Sequence, residues 1–270
     1  MSIIKRIKHF MRHKPVYASI SYMNASDKLK GKRIVVTGGT GGLGLAMAKR
    51  FVAEGAHVLI AARDEKKLDK ISKELHCAAL RLDVTQVETF DAFLADAVRM
   101  LGGIDCLVNN AGISLHEYFE TVTPEGFDAQ ISTNLRGPFF LTQKFVVYML
   151  ENKVKGHILF ISSEVGETAD IRPYAMTKAA LNCLVQGLAY AYAKRGIRVN
   201  AIAPGITATA MTGYQSNGDL TAWSNVTGRA YLPEEVAELA AFLLSDAAGC
   251  ISGQIIASNN GSTVNARWKM

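Results

Sequence analysis

Short apolar runs alternate with segments of helical pattern along most of this 270-residue chain. The runs are apolar at consecutive positions, as expected of strands that are covered on both faces of a parallel sheet. Repeated strand–helix units of this kind build a doubly wound sheet. We therefore predict an α/β fold with one domain, a seven-stranded parallel sheet and helices on both faces. The predicted strands are 33–37, 57–62, 77–82, 104–109, 157–162, 197–203 and 254–258, and the predicted helices are 42–54, 64–75, 86–101, 127–151, 173–194 and 233–245.

The basic character of the chain is concentrated at its N-terminus. Eight of the 30 Lys and Arg residues, but only one of the 24 acidic residues, lie in the first 32 positions. The rest of the chain is nearly neutral, which argues against a nucleic-acid-binding surface on it. We predict a basic arm at 1–30 and a domain at 31–270. Two interpretations of the arm stay open: weak contact with an anionic membrane surface, or a frayed or partner-packed leader.

The four cysteines are widely separated, with no CxxC pair and no Cys/His spacing typical of a metal site. This pattern predicts reduced thiols and no bound metal. No apolar stretch is long enough to span a membrane, and no unbroken apolar signal core precedes Lys14. A cytoplasmic protein is therefore expected.

Residues 37–44, TGGTGGLG, connect the first predicted strand to the first predicted helix. Glycines at such a connection allow a tight turn and let backbone N–H groups approach a pyrophosphate at the helix N-terminus. The stretch fits the common G-x-G-x-x-G pattern, which alone is a weak signal. It also fits T-G-x-x-x-G-x-G, through Thr37, Gly38, Gly42 and Gly44. The loop predicts a Rossmann-type dinucleotide site.

Further motifs follow the later predicted strands in order. They are DV at 83–84, NNAG at 109–112, ISSEVG at 161–166, YAMTK at 174–178 and RVNAIAPG at 198–205. Together with the glycine loop they resemble the short-chain dehydrogenase/reductase (SDR) family, over roughly residues 30–262. The resemblance, which extends to members such as the 3-oxoacyl-carrier-protein reductases, implies an NAD(P)-dependent oxidoreductase that acts on CH–OH groups.

Four residues match the catalytic positions of that family: Asn134, Ser163, Tyr174 and Lys178. The resemblance implies that Tyr174 exchanges a proton with the substrate oxygen, which Ser163 orients. It further implies that Lys178 binds the nicotinamide ribose and that Asn134 holds a water for proton relay. A free phenol has a pKa of about 10, so we expect the Lys178 ammonium, with help from a cationic oxidised nicotinamide, to lower the pKa of Tyr174. The interval from Ser163 to Tyr174 is shorter than is usual in the family, which predicts a reshaped substrate mouth.

The sequence contains a second YxxxK match, Tyr190 with Lys194. It lies 16 residues farther along the same predicted helix. At ~1.5 Å per residue this places it roughly 24 Å from the first pair. We therefore expect Tyr174 to be the chemical tyrosine and Tyr190 to be structural.

The end of the second strand indicates which coenzyme is used. NAD enzymes place an acid there for the ribose, whereas this chain has Ala62 followed by Arg63, which suits a 2′-phosphate. Asp64 competes for the role but is placed to cap the next helix. We predict NADP(H) over NAD(H). The predicted cofactor-binding residues are Thr37, Gly38, Thr40, Gly42, Leu43, Gly44, Arg63, Asp83, Val84, Asn110, Ala111, Gly112, Tyr174, Lys178, Pro204, Gly205, Ile206, Thr207 and Thr209.

The resemblance implies that the substrate is a small carbonyl or alcohol compound. The segment 207–231, where the family carries a substrate lid, holds few charges, which favours a neutral ketone over a polyanion. Ketone reduction, as in 3-oxoacyl reductases, is the leading interpretation. A hydroxysteroid, sugar or polyol dehydrogenase and a non-catalytic nucleotide-binding regulator or scaffold remain as alternatives. The resemblance also implies a homo-oligomer, a dimer or a tetramer, although the SNNGS sequence at 258–262 departs from the family pattern at the segment that often lies at subunit interfaces.

Overall fold

The structure, a computed structural model, describes residues 15–20, 26–115 and 117–264. Strands and helices alternate along these ranges, as the sequence predicts. The strands are β1 (Arg33–Thr37), β2 (His57–Ala62), β3 (Ala78–Arg81), β4 (Cys106–Asn109), β5 (His157–Ile161), β6 (Arg198–Pro204) and β7 (Ile255–Ser258). The helices of eight or more residues are α1 (Gly42–Ala53), α2 (Glu65–Leu75), α3 (Phe90–Leu101), α4 (Pro124–Ile131), α5 (Gly137–Glu151), α6 (Pro173–Tyr192) and α7 (Pro233–Leu244).

The seven strands form one sheet in the order β3-β2-β1-β4-β5-β6-β7, and every neighbouring pair is parallel. The predicted seven-stranded parallel sheet is confirmed. β1 pairs with β2 on one side and with β4 on the other. The direction of winding therefore reverses between β1 and β4, and a crevice opens there at the carboxyl ends of the strands.

Hydrophobic side chains bury both faces of the sheet, as the apolar runs require. In β1 the side chains of Ile34 and Val36 join one core cluster and that of Val35 joins the other. The first cluster includes α1, α2 and α7, and the second includes α3, α5 and α6. This placement confirms helices on both faces. The core holds the carboxyl ends of the strands, and the loops that follow them, in fixed positions.

The predicted helix 127–151 has different bounds in the structure. The helix begins at Pro124, because the Thr123 hydroxyl accepts a hydrogen bond of 3.1 Å from the Gly126 N–H and proline suits the first turn. A π-helical turn, Ser132–Arg136, then separates α4 from α5. Apolar periodicity continues through the π turn, so the sequence pattern shows neither the cap nor the interruption.

The predicted lid, 207–231, forms a small cluster of its own around Leu220. Ala18, from the N-terminal segment 15–20, packs against this cluster. The Val16 carbonyl accepts from the Leu220 N–H at 2.9 Å, and the Val16 N–H donates to Asp219 Oδ1 at 3.0 Å. Part of the predicted arm is thus attached to the lid, whereas its residues 1–14 and 21–25 lie outside the described ranges. Among the described helices, none has the length and apolarity needed to cross a membrane.

Candidate active site

The glycine loop adopts backbone conformations and contacts that side chains would prevent. Gly38 and Gly42 have φ of +66° and +50°, which lie in the left-handed region that favours glycine. A Cβ on Gly44 would lie 2.2 Å from the Gly38 carbonyl oxygen. Gly41 is the N-cap of α1, has no side-chain cap, and faces open space. The N–H groups at the start of α1 are therefore available to an anion, and the cradle fits a pyrophosphate.

Two cavities open along this loop and share Gly38, Ala111 and Gly112 in their walls. The inner cavity, about 400 Å³, contains Ser163, Tyr174 and Lys178. The outer cavity, about 260 Å³, lies at the ends of β2 and β3. They adjoin one another through these shared residues, and together they are called the cleft. All the predicted cofactor-binding residues line it except Thr37 and Gly44.

Thr37 and Gly44 lie behind the cleft rather than in it. Thr37 is 1% exposed, and its hydroxyl accepts from the backbone N–H groups of Asn110 and Ala111 at 3.0 and 3.1 Å. The Asn110 amide donates to the carbonyl oxygens of Thr37 and Gly38 at 2.9 and 3.2 Å. These bonds join the loop after β1 to the loop after β4. Thr37 thus holds these two loops together, and it lines neither cavity.

Lys178 lies beneath the inner cavity, one helical turn from Tyr174 on α6. Its Nζ donates to the Ile161 carbonyl at 2.8 Å and lies 5.4 Å from the centroid of the Tyr174 ring. Burial lowers the pKa of Lys178 to about 8. Lys178 Nζ is thus held by the Ile161 carbonyl, and no carboxylate of the described residues pairs with it.

The expected lowering of the pKa of Tyr174 is not found in the protein alone. Burial raises the pKa of Tyr174, and this effect outweighs the hydrogen bond from Ser163 and the charge of Arg172, which both lower it. Lys178 alone therefore does not lower the pKa of Tyr174, because loss of hydration dominates. The joint effect of Lys178 and an oxidised nicotinamide stays a prediction. In this state the phenol keeps its proton, which suits a proton donor.

Ser163 and Ser162 have different surroundings. The Ser162 side chain is buried, and its hydroxyl donates to Asn182 Oδ1 of α6 at 2.6 Å. Ser163 precedes the short 3₁₀ turn Glu164–Glu167 and reaches Tyr174. A Cβ on Gly166 would lie 2.9 Å from the Cβ of Lys178, so the turn packs closely against α6. This close packing brings Ser163 to Tyr174.

Asn134 lies in the π turn and is fully buried. Its Oδ1 accepts from the Ile113 N–H and its Nδ2 donates to the Ile113 carbonyl, both at 2.8 Å. Asn134 lines neither cavity, although its Oδ1 would lie 3.2 Å from a Cβ on Gly112. The side chain is thus occupied in holding the loop after β4.

Tyr190 is 91% exposed and lines neither cavity. The second YxxxK match therefore lies away from the cleft. The structure places Tyr174, and not Tyr190, among the other predicted site residues.

Charged side chains surround the outer cavity. Arg63 is exposed at its edge and makes no ion pair or hydrogen bond with the described residues. Asp64 accepts a hydrogen bond from the Lys67 N–H at 3.0 Å, so it caps α2 as predicted. Asp83 accepts from the Thr85 N–H and hydroxyl at 3.0 and 2.8 Å. Although burial alone would raise the pKa of Asp83, these bonds and the charge of Arg63 lower it, so Asp83 is ionised.

Several residues of the cleft were not predicted. They include Lys67 and Thr133 in the outer cavity and Ser114, Glu164 and Thr212 in the inner cavity. Lys67 stands four residues after Arg63, and Glu164 directly follows Ser163. For Lys67 the only signal was its proximity to Arg63, whereas Glu164 occupies a position of the ISSEVG motif to which the motif gives no role.

Comparisons with known proteins agree with this geometry. A family model described as enoyl-(acyl carrier protein) reductase matches residues 38–263. The 3beta-hydroxysteroid dehydrogenase 1 of Eggerthella lenta is 36% identical over 250 residues, 88% of this chain and 96% of that protein. The L-fucose dehydrogenase of Oryctolagus cuniculus is 34% identical and covers 84% of each chain.

A solved structure shows the same fold. The crystal structure of 3-ketoacyl-(acyl-carrier-protein) reductase from Brucella melitensis, complexed with NADH, matches with a TM-score of 0.81 and 32% identity. The match covers 87% of this chain and 100% of that one. These proteins share the fold and carry three different substrate names, so the likeness alone identifies no substrate.

Proposed function

Because this chain belongs to the short-chain dehydrogenase/reductase family and is an NAD(P)-dependent oxidoreductase, we propose that it uses NADP(H) to reduce a ketone to a secondary alcohol. The observation that carries the proposal is the convergence of Ser163, Tyr174 and Lys178 on the inner cavity, next to the glycine cradle of α1. A proton donor there adjoins the place where a nicotinamide would lie, as carbonyl reduction requires.

The residues divide the work of the proposed reaction. When bound, a reduced nicotinamide supplies a hydride to the carbonyl carbon. The Tyr174 phenol donates its proton to the carbonyl oxygen, and the Ser163 hydroxyl holds that oxygen in line. Lys178 stabilises the phenolate that remains, which takes up a proton from solvent before the next turnover. Asn134 acts by positioning, since its side chain binds the Ile113 backbone. The reverse order of the same transfers would oxidise an alcohol.

Two observations support NADP(H) as the coenzyme. Arg63 has no partner among the described residues and borders the outer cavity, and Lys67 lies in the same wall. Asp64, the acid that could hold a ribose diol, is engaged in capping α2. An unpaired guanidinium next to an engaged acid suits a 2′-phosphate. Lys67, whose Nζ lies 3.7 Å from Asp64 Oδ2, adds a second positive charge to the same wall. The complex of the related reductase with NADH is a reason to test this directly.

The proposed reaction is tested with two matched tyrosine variants. Loss of a general acid costs about 10²- to 10⁴-fold in rate, so Tyr174→Phe should reduce ketone-dependent oxidation of NADPH by this factor. Tyr190→Phe removes the same atom from the other YxxxK match and should change the rate less than about twofold, because surface changes of this kind have small effects. Equal losses in both variants, or no loss in either, would contradict the proposal.

We further propose that the protein is a cytoplasmic homo-oligomer. Cys77, Cys106, Cys183 and Cys250 are all free thiols, as suits a reducing compartment. Helix α5 exposes Phe139, Phe140 and Val147, which is apolar surface of the kind that subunit contacts cover. Sedimentation of the purified protein tests the assembly, and a monomer at micromolar concentration would argue against it.

A further inference from the structure

A carboxylate adjoins the proposed catalytic hydroxyl. Glu164 directly follows Ser163 and begins the 3₁₀ turn Glu164–Glu167. It is half-buried and lines the inner cavity together with Tyr174. A substrate whose carbonyl reaches Tyr174 therefore has Glu164 within the same cavity.

The position of Glu164 is fixed by the end of β7. Its Oε2 accepts a hydrogen bond of 3.1 Å from Asn259 Nδ2. Asn259 is 1% exposed, and its own side chain also contacts Thr263 Oγ1 and the Gly261 N–H, each at 3.1 Å. Asn259 stands in the SNNGS segment that departs from the family pattern. That departure thus supplies the group that holds the carboxylate.

Gly205 leaves the space that the carboxylate occupies. A Cβ on Gly205 would lie 3.2 Å from Glu164 Oε2 and 2.8 Å from the ring of Tyr231. The Tyr231 hydroxyl in turn donates to the Asn259 carbonyl at 2.9 Å. Glu164 is therefore a packed and oriented group, in contrast to a freely moving surface glutamate.

The other carboxylate oxygen, Oε1, has no hydrogen-bond donor among the described residues, and Glu164 makes no ion pair with them. Arg172, the nearest guanidinium in the cavity wall, is paired with Asp170. Burial raises the pKa of Glu164, as expected of a carboxylate that lacks a cation. Oε1 is accessible rather than sealed in the core, so a ligand in the inner cavity can donate a hydrogen bond to it.

Resting on the reductase activity proposed above, we propose that Glu164 Oε1 accepts a hydrogen bond from a substrate hydroxyl and that the substrate is a hydroxylated carbonyl compound, such as a ketose or a ketone derived from a polyol. A hydroxyl supplies the missing donor without bringing a second charge into the cavity. An anionic substrate would be repelled by Glu164. A cationic substrate would be repelled by the Lys178 ammonium, which lines the same cavity.

The test compares ketones of similar shape that differ in one group. The first set is hydroxyacetone, butanone and aminoacetone. The second set pairs hydroxycyclohexanones with the corresponding methylcyclohexanones. In the wild-type enzyme, a hydrogen bond to a charged acceptor should make kcat/KM about 10- to 100-fold higher for the hydroxylated ketone than for its methyl-bearing counterpart. In Glu164→Leu the ratio of the two kcat/KM values should fall to near one. Glu164→Gln, which keeps an oxygen acceptor without the charge, should retain part of the preference. Glu167→Leu is the matched control, since Glu167 is exposed, belongs to the same turn and does not line the cavity.

Binding to the Tyr174→Phe protein, in the presence of NADPH, measures recognition without turnover. The same preference should appear there in Kd. Equal affinity for both members of each pair, an unchanged ratio in Glu164→Leu, or a preference for aminoacetone over hydroxyacetone would each overturn the inference. Preferential binding of hydroxylated ketones with no reduction of any of them by wild-type enzyme would instead overturn the proposed reductase activity and leave the recognition role of Glu164 in place.

Discussion

The side chain of Asn134 and the backbone of Ile113 are joined by two hydrogen bonds, each 2.8 Å long. One bond uses the amide oxygen as acceptor and the other uses the amide nitrogen as donor. They connect the π turn to the loop after β4, whose Gly112 lines both cavities. The loop therefore keeps its place in the cleft through a buried side chain that does not itself line the cleft.

Replacing Asn134 with alanine should destabilise the protein, because two hydrogen bonds to the Ile113 backbone are lost. The substitution leaves a backbone donor and a backbone acceptor of Ile113 without partners, and each such group costs about 1–3 kcal/mol when buried. We expect the free energy of unfolding to fall by about 2–4 kcal/mol, as measured by urea denaturation. Asn152→Ala removes a single exposed bond to the Tyr148 carbonyl and should have a small effect. An Asn134→Ala protein of wild-type stability would show that these bonds are dispensable.

Coenzyme choice should depend on the guanidinium of Arg63. Arg63→Ala should lower kcat/KM for NADPH by about 10- to 100-fold, the value of a charge-assisted hydrogen bond, and change kcat/KM for NADH little. Steady-state kinetics with both coenzymes give the comparison. Lys66→Ala removes a neighbouring exposed charge that does not line the outer cavity and serves as the control. Similar losses with both coenzymes would rule out a role for Arg63 in reading the phosphate.

The sheet was predictable because its strands are covered on both faces. Leu107 and Ile158 are fully buried neighbours in β4 and β5, and uninterrupted apolar runs such as theirs have few alternatives to a central parallel strand. Local interruptions were harder to predict. The π turn at Ser132–Arg136 depends on tertiary contacts of Asn134 that periodicity does not encode.

The motifs of the cleft identified the right loops but not which atoms face the cavity. Thr37 belongs to the glycine motif, yet its hydroxyl is used by backbone groups of the neighbouring loop. Glu164 lies within the ISSEVG motif, but the motif gives it no role, and its placement at the cavity involves a contact with Asn259, which lies 95 positions away along the chain. The pKa of Tyr174 likewise depends on burial, which the spacing of Tyr174 and Lys178 along the helix does not reveal.

The buried ammonium of Lys178 should give the stability of the protein a pH dependence. Burial lowers the pKa of Lys178 from 10.5 to about 8. Between these values the unfolded chain holds a proton that the folded protein lacks, so stability should rise with pH across this window. Below it the folded protein carries the full cost of the buried charge. The free energy of unfolding of wild type minus that of Lys178→Met should therefore increase by about 2–3 kcal/mol from below pH 8 to near 10.5.

Urea denaturation of both proteins across that range measures this difference. The carbonyl of Ile161 loses its donor in Lys178→Met, but that cost does not vary with pH and cancels from the slope. Other titrating groups are present in both proteins. A constant difference at all pH values would show that Lys178 keeps an ordinary pKa in the folded protein.

The contact between Val16 and the segment 207–231, the predicted lid, predicts that the N-terminal segment 15–20 stabilises it. The Leu220 N–H donates to the Val16 carbonyl at 2.9 Å, the Val16 N–H binds Asp219, and Ala18 packs in the cluster around Leu220. Removing residues 1–20 should therefore expose the Leu220 amide and loosen the lid. We expect faster hydrogen exchange at that amide and a KM for the carbonyl substrate raised several-fold, with a smaller change in KM for NADPH.

Removing only residues 1–14 gives the matched control, because it deletes most of the basic charge and leaves Val16 and Ala18 in place. That shorter deletion should keep the Leu220 amide protected, whereas the longer one should not. Hydrogen exchange resolved at single amides separates the two, with amides of β5 as an internal reference, since its strand residues are buried in both proteins. Equal protection of Leu220 in both deletions would show that the lid holds its conformation without the segment. Loss of protection in the shorter deletion would place the stabilising contact in residues 1–14, because Val16 would then be insufficient to hold the loop.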